Sequence, residues 1–244
     1  MKPAVRILDV HKSFGDNEVL RGVTMDVPAH KTVAVMGGSG SGKSVLIKHV
    51  VQLLQPDTGE IWVGDKRMDQ LEGAELDQER LAIGYLFQGG ALFDSMTVAE
   101  NFDFVLDRHT PLTPAERRDR IAELLTWVGL VEKMNSSPSD LSGGQQKRIA
   151  LARAIALDPS LMLFDEPTTG LDPISVRMVS ELIVRLREER DMTSIVITHD
   201  LLCAEIAADF VNYLSSGQIL EQGTLDYVRR SARPELRNFF GGSR

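Results

Sequence analysis

The rhythm of hydrophobic and polar positions changes several times along the chain. Over residues 5–10 and 19–27 apolar and polar residues alternate with the period of a half-buried strand, and Gly15-Asp16-Asn17 between them is turn chemistry. These segments predict an early antiparallel element. Residues 32–36 then form a short continuous apolar run closed by glycines, and residues 43–54 carry helical periodicity, which predicts a strand, a loop and a helix in succession. Two more short apolar runs, 161–164 and 194–198, are bounded by acidic or polar residues and separated by an amphipathic stretch over 175–190. Continuous apolar strands joined by helices predict a mostly parallel, buried sheet.

Between residues 88 and 157 the strand texture disappears. Helical patterns over 98–106, 114–128 and 145–157 predict an inserted helical subdomain. Residues 210–214 and 218–220 flank Ser215-Ser216-Gly217 as a hairpin, and a closing helix begins near 225. The expected organisation is one α/β domain over residues 1–244. Residues 1–87 and 161–216 make its core, 88–160 the helical insertion, and 217–244 a hairpin strand and tail. There is no internal repeat and no low-complexity tract.

Composition changes the picture in three places. No apolar run approaches the roughly 20 residues that cross a bilayer, and the first ten residues lack the apolar stretch of a secretory signal. The chain is therefore expected in the cytosol, with no direct membrane insertion. A formal net charge of −8 argues against broad attraction to nucleic acid or to anionic lipid, so any membrane attachment is expected to run through a protein partner. The single cysteine, Cys203, lies in an apolar helical pattern and reads as a buried, inert thiol.

The candidate chemistry begins at Gly37-Gly38-Ser39-Gly40-Ser41-Gly42-Lys43-Ser44, which fits G-x-x-x-x-G-K-[ST] between a predicted buried strand and a helix. Glycines let successive backbone N–H groups turn inward around phosphate oxygens, and the following helix adds the positive end of its dipole. The expected ligand is a polyphosphate, with Lys43 on the β- and γ-phosphates, Ser44 on Mg²⁺ and Val45 completing the binding segment. A second buried strand ends in Asp165-Glu166, at the edge where open α/β sheets bind ligands. Asp165 is the candidate Mg²⁺ holder and Glu166 the candidate that polarises the attacking water. A third strand delivers His199 to the same edge, as a hydrogen-bond donor to the γ-phosphate.

Leu141-Ser142-Gly143-Gly144-Gln145 precedes a helix and by itself reads as a capping box, Ser142 first and Gln145 three residues on. A cap needs no paired glycines, however, and a helix start without side chains in the way also offers a second anion site. Both readings stand on the residues alone.

Taken together, these segments resemble the nucleotide-binding subunit of ATP-binding-cassette transporters across nearly the whole chain. The resemblance adds Gln88 as the Q-loop glutamine and Gly170-Leu171-Asp172-Pro173 as the D-loop to the phosphate loop, signature, acidic pair and histidine. It implies a RecA-like P-loop NTPase core, ATP and Mg²⁺ as cofactors, and catalysis by Glu166, His199, Lys43 and Gln88. It also implies a head-to-tail homodimer in which Ser142, Gly143, Gly144 and Gln145 of one copy, with Asp172, complete the γ-phosphate site of the other. Phe14 lies where the family stacks an aromatic ring on adenine, although tyrosine is commoner there. Gln88, with a contact to Mg²⁺ or the γ-phosphate, would relay nucleotide state to integral membrane permease subunits, holding the chain on the cytoplasmic face of an inner membrane.

A narrower resemblance rests on residues 87–93, Met96-Thr97-Val98, Glu100-Asn101, His109-Thr110 and the tail segment 234–239. These look like the ATPase of Mla- and Mce-type lipid transporters, which implies phospholipid or other hydrophobic cargo, a lipid-binding MCE-type subunit and a small regulatory subunit. The chain departs from that subgroup at Phe104-Val105, where Pro-Leu is frequent, and at Gln145, the residue of the general family. Other transporters, such as amino-acid importers, and cassette proteins without a transport role share the same ATPase motifs. A small-molecule kinase would share the phosphate loop but has no use for residues 141–145.

Overall fold

Alternation along the first strands sets up the outer layer. A computed structural model of the chain describes residues 3–241; the first two residues of the N-terminal reading and residues 242–244 of the tail lie outside the described residues. β1 (Pro3–Phe14) and β2 (Asn17–Pro28) pair antiparallel around Gly15, and in β2 the inward residues Leu20, Val23, Met25 and Val27 are buried. β3 (Thr32–Met36) is buried at every position and leads through the glycine loop into α1 (Lys43–Val50). This helix stops four residues short of the expected 54, because Gln52 takes a left-handed φ of 54°. β4 (Thr58–Val63), β5 (Lys66–Arg67), α2 (Gly73–Arg80) and β6 (Ile83–Leu86) follow.

Three helices come next: α3 (Val98–His109), α4 (Pro114–Trp127) and α5 (Gly143–Ala154). Each opens with a complete capping box, Thr97 with Glu100, Thr113 with Glu116 and Ser142 with Gln145, which satisfies two orphan amides per helix from residues three apart. The last of them starts two residues before, and ends three before, the expected 145–157. The chain then alternates through β7 (Leu161–Asp165), α6 (Pro173–Arg190), β8 (Thr193–Ile197) and α7 (Leu201–Ala207). It closes with the hairpin β9 (Phe210–Ser215) and β10 (Gln218–Gly223), then α8 (Leu225–Arg229) and α9 (Pro234–Gly241).

Two sheets result, one of order β2-β1-β4-β5 and one of order β10-β9-β3-β8-β7-β6. The first is antiparallel, and in the second every pairing but β9 with β10 is parallel. The expected α/β architecture with an N-terminal antiparallel element is thus the one observed. Strand alternation divides the core: Leu161 and Leu163 of β7 face the antiparallel sheet and α1, whereas Met162 and Phe164 face the helices α3 to α6. Cys203 is fully buried in that second cluster, and burial pushes its thiol up to about 11, in keeping with an inert role. No helix of the described residues is long and apolar enough to cross a membrane.

Phe102 is fully buried at the centre of the helical cluster. Phe102→Ala is expected to cost about 3–5 kcal/mol of stability, read by thermal or denaturant unfolding. A loss below about 1 kcal/mol would show that these helices do not share a packed core.

Candidate functional site

β3 lies between β8 and β9 in the centre of the parallel sheet, and its C-terminal end is where the glycine loop begins. The loop is pressed tightly against its neighbours. A Cβ on Gly37 would stand 2.0 Å from the carbonyl oxygen of Leu214 in β9. Gly42 caps α1 with a left-handed φ of 103°, and no side chain caps that helix, so its first amides remain directed at the loop. Lys43 folds back into the loop, donating from Nζ to the carbonyls of Gly37 at 2.8 Å and Gly38 at 2.9 Å. Burial lowers its pKa, against the opposing pull of Glu166 and Asp165. Ser41 Oγ is buried with no hydrogen-bond partner among the described residues, an unused donor in the loop.

The acidic pair meets this loop from the end of β7. Ser44 Oγ donates to Asp165 Oδ1 at 2.8 Å across a sequence gap of 121 residues, and the Tyr85 hydroxyl from β6 donates to Oδ2 at 3.4 Å. Burial, and then the charge of Asp165, raise the pKa of the Tyr85 phenol, which keeps it a donor. No cluster of three or more His, Cys, Asp or Glu able to hold a metal occurs among the described residues. A hydroxyl and one carboxylate leave most of an octahedral shell to phosphate and water, which fits Mg²⁺ better than a metal needing an all-protein cage.

Glu166 follows in a left-handed conformation, φ 53°, which costs a non-glycine residue about 1–3 kcal/mol. Its N–H donates to the Ile197 carbonyl of β8 at 2.9 Å, which helps hold the kink. The buried carboxylate receives Thr169 Oγ1 at 3.0 Å and lies 2.8 Å from Nδ1 of His199, with Lys43 Nζ 4.0 Å from its other oxygen. A carboxylate can only accept, so Nδ1 carries a proton when Glu166 is ionised. His199 can then donate from Nε2 to a phosphate only as the imidazolium.

The structure brings Gly38 through Val45, Gln88, Glu166 and His199 around a single cavity of about 690 Å³, with Thr169, Val19 and Phe239 in its wall. Other expected site residues stand elsewhere. Gly37 lies beneath the loop, and Asp165 reaches the site through Ser44. Phe14 is 47% exposed at the end of β1, with Lys12 Nζ 5.6 Å over its ring, and is not part of the cavity wall. Ser142, Gly143, Gly144 and Gln145 start α5 outside the cavity, beside the segment carrying Asp172. Gly143 neighbours Leu171 and Gly144 neighbours Ser175, whose hydroxyl donates to Asp172 at 2.6 Å. Asp172 itself caps α6.

Several residues around the site were not expected there from the sequence. Lys147 of α5 is buried and donates to the main-chain carbonyl of Gln88; burial lowers its pKa while Asp165 and Glu166 pull the other way. A lysine is ordinarily read as exposed. Val19 is one more alternating apolar residue, and Phe239 lies in the tail, far along the chain from the loop whose cavity it lines.

A triphosphate cradle beside a hydroxyl–carboxylate pair and a buried carboxylate held by an exposed imidazole defines a nucleoside-triphosphate hydrolase. The family model described as ABC transporter matches residues 20–169, and the chain belongs to that family. The probable ribonucleotide transport ATP-binding protein mkl of Mycobacterium leprae is 36% identical over 244 residues, covering 100% of this chain and 70% of that protein. The intermembrane phospholipid transport system ATP-binding protein MlaF of Haemophilus influenzae is 38% identical over 228 residues, covering 93% and 86%. A dimeric ATP-binding cassette solved in a post-hydrolysis state with ADP and Pi superposes with a TM-score of 0.83 at 32% identity, covering 91% of this chain and 98% of that one. The chain is an ATP-binding and ATP-hydrolysing subunit of an ABC transporter.

Proposed function

We propose that two copies of this chain close head to tail on ATP and that the cycle drives membrane permease subunits moving phospholipid or another hydrophobic cargo. The dimer is carried by one observation: Ser142 and the glycines after it form a finished helix start outside their own copy's cavity. Such a start presents amides to an anion, and the post-hydrolysis cassette it resembles is dimeric. Within each copy, Lys43 and the loop amides grip the β- and γ-phosphates, while Ser44 and Asp165 hold Mg²⁺. Bound there, Mg²⁺ neutralises charge on the phosphate oxygens. Glu166 takes the proton of the attacking water, and His199 and Thr169 fix that carboxylate from either side. Asp172 caps α6 and accepts from Ser175, whose side chain lies against Gly144 of the signature helix.

The dimer is tested with a hydrolysis-blocked Glu166→Gln chain followed by light scattering. ATP is expected to convert monomer to dimer, and adding Ser142→Arg to abolish that conversion while each copy still binds ATP. Dimers that form equally well with Ser142→Arg would refute the arrangement.

Residues 88–160 form the relay in this reading. Gln88 faces the nucleotide cavity, and Lys147 binds its carbonyl from the signature helix, so both anion sites reach one loop. The lipid cargo is supported by residues 87–110 and the tail, and by the similarity to MlaF. An MCE-type lipid-binding subunit and a small regulatory subunit belong to the same reading, as does a place on the cytoplasmic face of the membrane through the permease. Purifying the native complex and identifying its membrane subunit and lipid tests it; recovery of an amino-acid permease would end the lipid assignment.

A further inference from the structure

Asp165 is reached from two sides of the parallel sheet. From the glycine loop after β3 the Ser44 hydroxyl donates to Oδ1 at 2.8 Å, and from β6, the strand at the sheet's edge, the Tyr85 hydroxyl donates to Oδ2 at 3.4 Å. Among the described residues these are the side-chain donors to a carboxylate that is only 5% exposed. Strand register accounts for the second contact. β6 runs parallel to β7 with Tyr85 opposite Leu163, and side chains two apart on a strand share a face, so Tyr85 and Asp165 stand diagonally on one face of the sheet. The register is held where the Ala82 carbonyl accepts from the amides of Ser160 at 3.0 Å and Leu161 at 3.3 Å. On the opposite face β6 has no room to shift: a Cβ on Gly84 would stand 2.2 Å from Met162 Sδ and 2.7 Å from the Ala154 carbonyl oxygen. The Tyr85 ring also stacks on Phe87, centroids 4.1 Å apart and planes at 28°, which restricts the ring that carries the hydroxyl.

We infer that Tyr85 is a positioning residue for Mg²⁺: by donating to Oδ2 it fixes the Asp165 carboxylate, so that the remaining lone pairs are aimed at the ion or at water on it. Its role rests on the metal seat of Ser44 and Asp165 proposed above. The two donors are not equivalent. Ser44 holds the ion itself in that reading, whereas β6 has no residue in the wall of the nucleotide cavity, and Tyr85 touches the metal only through the carboxylate. Carboxylates that hold metals are themselves held by hydrogen bonds, and losing such a partner typically costs 10–100-fold in metal affinity or activity. A donor at 3.4 Å places Tyr85 at the lower end of that range.

The metal is followed directly as Mn²⁺, on the full chain carrying Glu166→Gln and kept in excess over ATP, so that the nucleotide is bound and does not turn over. The EPR signal of free Mn²⁺ then reports the affinity of the bound nucleotide for metal. ATP affinity in EDTA, where Lys43 and the loop act without metal, reports the integrity of the fold. Tyr85→Phe keeps the ring and its stack on Phe87 and removes only the hydroxyl. It is expected to weaken Mn²⁺ about tenfold and to leave metal-free ATP affinity unchanged. In the hydrolysing chain the same substitution is expected to raise the Mg²⁺ concentration for half-maximal turnover by a similar factor, with the rate restored at saturating Mg²⁺. Mn²⁺ affinity in Tyr85→Phe equal to that of the parent chain overturns the inference. An equal loss of Mn²⁺ and metal-free ATP affinity also overturns it, because it marks a packing role. Asp165→Asn is expected to weaken Mn²⁺ at least as much as Tyr85→Phe does; Mn²⁺ binding that ignores Asp165→Asn overturns the metal seat itself.

Discussion

Glu166→Gln is expected to lower steady-state ATP hydrolysis by roughly 10²–10⁴-fold, the range of a lost general base, with ATP binding retained. The amide occupies the same space and can still accept from Thr169 Oγ1, and the left-handed backbone at φ 53° is no harder for glutamine than for glutamate. What disappears is the proton acceptor, together with a buried negative charge 4.0 Å from Lys43. Asp165 remains to compensate Lys43, so the phosphate grip survives. Phosphate release and nucleotide affinity, measured on one preparation, check both halves. Turnover at the wild-type rate would remove Glu166 from the chemistry.

Gly37→Ala is the corresponding test of the fold beneath the site. The added methyl would lie 2.0 Å from the Leu214 carbonyl oxygen and 3.1 Å from its carbon, both main-chain atoms of β9. No side-chain rotation relieves that contact; the loop or the strand must move. Overpacking costs typically 1–3 kcal/mol and occasionally more, and here the upper end is expected. For a chain of this size each kcal/mol lowers Tm by about 2–4 °C. Gly38→Ala is the control, since a Cβ there meets nothing within 4 Å. A melting temperature for Gly37→Ala equal to that of Gly38→Ala would show that β9 does not confine the loop. Nucleotide binding is expected to fall with Gly37→Ala, because the residues displaced are those that turn the amides inward.

How much of this was legible beforehand depended on how far apart the interacting residues lie. β3, β7 and β8 were readable because buried parallel strands are apolar throughout, and the glycine loop because its chemistry is contained in consecutive residues. The capping box of Ser142 and Gln145 was equally local, whereas those led by Thr97 and Thr113, no less local, went unread. By contrast, β4 mixes exposed and buried positions without a clean period, β6 is four residues long, and neither was anticipated. Tyr85, which β6 brings to Asp165, went unread with them. Lys147 was invisible for another reason: its burial follows from the Gln88 carbonyl and the two acids nearby, none of which is its neighbour in sequence. The hydrogen bond from Ser44 to Asp165 was anticipated only as a shared ligand; that the two side chains touch is a product of the strand order.

The neighbours of β3 also set a timetable. Both strands that flank it, Thr193–Ile197 and Phe210–Ser215, lie in the last quarter of the chain, whereas the helices between β6 and β7 have their starts fixed by residues three apart. On a ribosome the helical region can therefore gain structure while the strand bearing the glycine loop still waits for its partners. The phosphate cradle is written early in the chain, and the strands that confine it are the last parallel ones to be made.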